Sequence, residues 1–180
     1  MSVDVAYVAV GELEKLLSQY EEKLKGIEDT WRTFVEASQA LKGSWDGDLA
    51  KVKIRLEQIE GVVQELNREL EILTAKRELG LISEEDYQKL SEESKKKIAE
   101  LEEKAKALRD RTAQVEARVK YVWARSLTKE RLSRLDLVAL EKRVEDIYSS
   151  GGIDQDTYAR LKTEIALMKA IWDMLNLLEP

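Results

Sequence analysis

"LAKVKIRLEQIEGVVQELNRELEIL", residues 49 to 73, places Leu49, Val52, Leu56, Ile59, Val63, Leu66, Leu70 and Leu73 in alternating steps of three and four. Such steps return to one face of an α-helix each time, whereas a strand changes face at every residue and cannot use them. A seam this regular is a coiled-coil heptad with an apolar residue at each a and d position. The stretch therefore commits the chain to helices that lie along one another.

Upstream, Leu13, Leu17, Tyr20, Leu24, Ile27, Trp31, Phe34, Ser38 and Leu41 keep the same stepping, which extends back through Val10, Ala6 and Val3. The alternation in "VDVAYVAV", residues 3 to 10, would also suit a strand, but helix continues the seam. Between the two seams, "GSWDGD", residues 43 to 48, offers two glycines and Asp48 as an N-cap, and predicts a turn. Downstream, Tyr87, Leu90, Ser94, Ile98, Leu101, Ala105, Leu108, Thr112, Val115, Val119 and Val122 form a third seam. It contains two successive steps of four, a stutter that locally unwinds a supercoil. "SLTKERL", residues 126 to 132, restarts the chain with Thr128 as N-cap, and two shorter helices follow.

The expected fold is all-α, an elongated antiparallel helical bundle or coiled coil of four to five helices. Residues 1–125 are expected to form a three-helix antiparallel bundle, with helices at about 3–42, 48–79 and 83–125. Residues 126–180 are expected to form a C-terminal hairpin, with helices at about 128–149 and 154–178, on the same bundle or on another chain.

"GLISEEDYQKL", residues 80 to 90, returns 71 residues later as "GGIDQDTYARL", residues 151 to 161. Gly80 and Gly151 can take the positive φ that ends a helix, Ser83 and Asp154 can cap the next one, and Tyr87 can close the corner. The repeat thus reads as two helix-reversal corners. The longer segment "RELGLISEEDYQKLSEESKKKI", residues 77 to 98, resembles the SHOCT type of short helical hairpin: leucine-rich helix, Gly, Ile, Ser, acidic residues, an aromatic, then a Lys-rich helix. The copy near residues 149–168 departs from that pattern, with Asp154 in place of the Ser and no Lys-rich stretch. The resemblance implies oligomerisation or accessory interactions, and carries over no catalytic residues.

The chain has no Cys and no His, which removes thiol nucleophiles, disulfides, imidazole bases and the usual ligands of zinc, haem and non-haem iron. Glu-rich stretches such as "SEEDY" and "AELEEK" read as solvated faces, because the di-metal sites of helical bundles also use His. No enzyme activity, metal or cofactor is expected. One Pro, eight Gly and two Asn suit long helices and a thermophilic source. The absence of an apolar run of ~18 residues and of a basic leader points to the cytoplasm.

Two surfaces stand out. The apolar C-terminal helix, with Met168, Ile171, Trp172 and Leu175 along one face, is the candidate partner-binding element of a homo-oligomer or of a complex with another helical protein. Lys97, Lys104, Arg111, Arg118 and Arg125 recur every seven residues, and residues 104–134 hold ten basic side chains against three acidic ones. That stripe could bind nucleic acid or an anionic membrane, with Tyr121 and Trp123 nearby for stacking. The preferred reading pairs it with Glu14, Glu21 and Glu28, also seven apart, across parallel helices. Of the tryptophans, Trp31 and Trp172 are expected in the core, and Trp45 and Trp123 at a surface or interface.

Overall fold

The computed structural model describes residues 3–178, with side-chain surroundings from residue 7 onward. The described residues form five helices and no strand: α1 (Val3–Glu78), α2 (Glu84–Arg125), α3 (Lys129–Ser133), α4 (Leu137–Ser149) and α5 (Gln155–Leu178). The fold is all-α, as the heptads require. Residues 3–10 are helical, while the side chains of Val3 and Ala6 lie outside the described residues. Two compact units divide the chain, one of Met1–Leu41 with Tyr121–Pro180 and one of Lys42–Lys120.

The expected turn at residues 43–48 is absent, and α1 is a single helix of 76 residues. Two helical glycines oppose this by about 1 kcal/mol each. Several features of the segment offset that cost. Lys42 donates to Asp46 at 2.6 Å and Lys51 to Asp48 at 2.6 Å, so both aspartates hold helical-spaced partners instead of capping a turn. Ser38, Lys42 and Leu49 are buried and Trp45 half-buried. The inward positions therefore run Phe34, Ser38, Lys42, Trp45, Leu49, Val52, a second stutter of two four-residue steps rather than a break. Leu41, expected inward, is exposed.

In the unit of residues 42–120, α1 and α2 run antiparallel. Thr74 and Tyr87 place their hydroxyls 3.3 Å apart near the corner, and Glu60 pairs with Arg109 farther along. All eight seam residues from Leu49 to Leu73 are buried or half-buried, with Val63, Ile98 and Ala105 the best covered.

Both corners are built alike. Gly80 has φ 72° and Gly151 φ 76°. The Gly80 and Leu81 amides donate back to Arg77 and Lys76, and the Gly151 and Gly152 amides to Tyr148 and Ile147. This is the Schellman arrangement. Ser83 Oγ accepts from the Asp86 amide at 3.0 Å, and Asp154 Oδ1 from the Thr157 amide at 2.7 Å. Tyr87 lies under the Arg77 guanidinium at 4.3 Å, and its counterpart Tyr158 stacks on Tyr148 with centroids 4.2 Å apart. Ten residues separate each pair, so one geometry serves a cation over a ring in one corner and two stacked rings in the other.

In the other unit, the end of α2 runs through Ser126 and Leu127 into α3, which is capped by Thr128. Trp123, Leu127 and Leu132 form a buried cluster against α5. The α4–α5 hairpin is joined by Lys162, which reaches Glu141 at 3.2 Å and Glu145 at 2.9 Å, and by a Lys169–Glu141 pair.

Candidate interaction surface

The C-terminal candidate set is used within the chain. Met168, Ile171, Trp172 and Leu175 pack against Trp123, Leu127 and Leu132. Their face is wide because it meets both the end of α2 and α3. Trp172 is half-buried there, and Trp123, expected at a surface, is 7% exposed.

The first two cations of the basic stripe find partners on their own helix. Lys97 donates to Glu93 at 2.7 Å and Lys104 to Glu100 at 2.6 Å, each one turn back on α2. These bonds raise the Lys97 pKa and lower those of Glu93 and Glu100. A carboxylate four residues N-terminal to a lysine is the favourable helical orientation. Arg111 and Arg118 are exposed, and Arg125 lies over the Tyr121 ring at 5.4 Å. Two of the five cations are thus already balanced locally. Glu14, Glu21 and Glu28 are exposed and make no ion pair among the described residues.

The uncovered apolar surface lies on α1 instead. Val10, Leu13, Leu17, Tyr20, Leu24, Ile27 and Trp31 occupy successive a and d positions, yet their exposure runs from 47% at Trp31 to 67% at Ile27. Leu16, at the flanking g position, is also exposed and widens the strip. Coverage begins only at Phe34 and Val35, which are half-buried, and is complete at Ser38. Trp31 tilts against Phe34 with centroids 5.3 Å apart. These rings, with Lys23, Gly26, Ile27, Thr30 and Arg125, line an open groove of about 810 Å³. The groove has an apolar floor and two cations at its edge.

Sequence reasoning found this seam but assigned it to the core of a three-helix bundle. The signal that would have corrected it is Trp45: four residues before Leu49 and seven after Ser38, it continues the inward stepping through "GSWDGD". With no turn there, α1 has 76 residues and α2 has 42, so α2 is too short to line all of α1.

Among the described residues no group of three or more acidic side chains is placed to hold a metal ion. No described helix is long and apolar enough to cross a membrane. No protein-family model matches the chain, and comparisons with curated proteins and with solved structures return no match.

Proposed function

We propose that this chain is a non-enzymatic helical protein that acts by self-association through the N-terminal half of α1. The observation that carries the reading is the row of seven consecutive a and d residues, Val10 to Trp31, each about half or more exposed. Isolated helices are marginal in water and gain most of their stability from packing an amphipathic face. A chain that spends seven consecutive a and d positions of Val, Leu, Ile, Tyr and Trp on solvent exposes a larger apolar strip than monomers ordinarily carry. The absence of His and Cys, and the local pairing of Lys97 and Lys104, favour this over catalysis or nucleic-acid binding.

The test is solution mass by light scattering. The wild type is expected above the monomer mass of 20.7 kDa, falling toward it on dilution. Leu17→Glu with Leu24→Glu, both at exposed positions, is expected to give the monomer mass with unchanged melting of the rest of the chain. A wild type at 20.7 kDa throughout a wide concentration range, or a double variant that keeps the larger mass, rejects the reading.

A further inference from the structure

Resting on that reading, the geometry points to one occupant of the exposed seam: residues 10–31 of a second copy, lying parallel and in register. We infer this from the charges that flank the apolar positions. With Val10, Leu17, Leu24 and Trp31 at a, the e positions are Glu14, Glu21 and Glu28, and the g positions are Leu16, Lys23 and Thr30. A parallel pair sets each g residue against the e residue five places later on the other helix. Lys23 then meets Glu28 of the second copy, twice by symmetry, while Leu16 meets Glu21 and Thr30 meets Val35. No like charges oppose one another.

An antiparallel pair sets e against e, so the glutamate row meets itself at every overlap of residues 14–28. Like charges placed opposite one another disfavour that arrangement. A staggered parallel pair is excluded on different grounds: it is head-to-tail, leaves part of each seam bare, and does not close under two-fold symmetry. The groove beside Ile27, Trp31 and Phe34 agrees with this choice. Its two cations, Lys23 and Arg125, border the g side, from which Glu28 of the second copy approaches. The pairing ends near Trp31, because Phe34 and Ser38 turn into the chain's own interior.

The chain contains no Cys, so single cysteines report the arrangement without background. Val10→Cys and Leu24→Cys are made separately and oxidised as full-length proteins. In a parallel in-register pair each faces its own copy, within the ~4.4–6.8 Å between Cα atoms that a disulfide spans, and both variants should cross-link to dimers. In an antiparallel pair only a residue at the crossing point can meet itself, so at most one should. Separately, Lys23→Glu should raise the dissociation constant roughly three- to thirtyfold, and adding Glu28→Lys should restore most of it. Both residues are exposed, so melting of the dilute protein checks that the fold is intact. Cross-linking of one or neither cysteine variant, or an unchanged dissociation constant for Lys23→Glu, overturns the parallel arrangement and leaves self-association standing. A wild type that is monomeric throughout overturns the reading beneath it.

Discussion

Gly80 and Gly151 occupy the left-handed region, where a Cβ crowds the following carbonyl. Replacing Gly80 by Ala is expected to destabilise the chain by about 1–2 kcal/mol, read from the urea midpoint, although nothing lies within 4 Å of the added carbon. No loss would mean that the corner adopts another backbone. The next residue differs between copies for a local reason. A Cβ on Gly152 would lie 2.9 Å from Ile147 Cγ2, while the first corner holds Leu81 opposite the unbranched Lys76. The corners were legible residue by residue, since positive φ, caps and the returning tyrosine depend only on neighbours a turn away. The tryptophans were not, because what covers a ring is decided by elements far away in sequence. Trp123→Ala is accordingly expected to cost about 3–5 kcal/mol, since that ring lies in the Leu127–Leu132 cluster. Trp31→Ala should leave the melting of the dilute chain nearly unchanged.

The continuity of α1 is a contest within one element, between two flexible glycines and the inward stepping of Ser38, Lys42, Trp45 and Leu49. Turn propensity and heptad phase conflicted over "GSWDGD", and phase prevailed because burial and the Lys42–Asp46 pair act on the helical form. Lys42 at an inward position concealed this, as a lysine is rarely read as a seam residue. Gly43 and Gly47 have open space where a Cβ would stand. Gly43→Ala and Gly47→Ala are each expected to stabilise the chain by up to about 1 kcal/mol, and a loss for either would argue for a local turn. The α4–α5 hairpin depends on charge instead. Hydrogen bonds from Lys169 and Lys162 hold the Glu141 carboxyl below its ordinary 4.5. A group whose pKa is lowered in the folded state contributes stability above its unfolded value, and that stability is lost as pH falls through the folded one. Thermal melting of the hairpin should therefore fall as pH drops below about 4.5, and Glu141→Gln should flatten that dependence.

For the whole molecule, the same a/d pattern has two fates. Residues 49–73 find α2 and are covered, while residues 10–31 keep an identical periodicity and remain exposed. Heptads specify that a helix wants a neighbour; they do not say whether the neighbour belongs to the same chain. That is why the fold class could be read from the sequence and the site could not. The two fates predict different protection of backbone amides. Residues 49–73 open only when the α1–α2 packing is lost, so their hydrogen exchange should be slow and independent of protein concentration. A solvent-exposed helix such as residues 10–31 has little packing to resist fraying, and its amides should exchange quickly in dilute protein. Association buries the seam, so these amides should slow as concentration rises through the dissociation constant, and the change should vanish in the Leu17→Glu, Leu24→Glu variant. Exchange mapped by peptide fragments separates the two segments in one experiment. Concentration-dependent protection confined to α5 would move the interface to the C-terminal helix, whereas slow exchange of residues 10–31 at every dilution would mean that the seam is covered within a single chain.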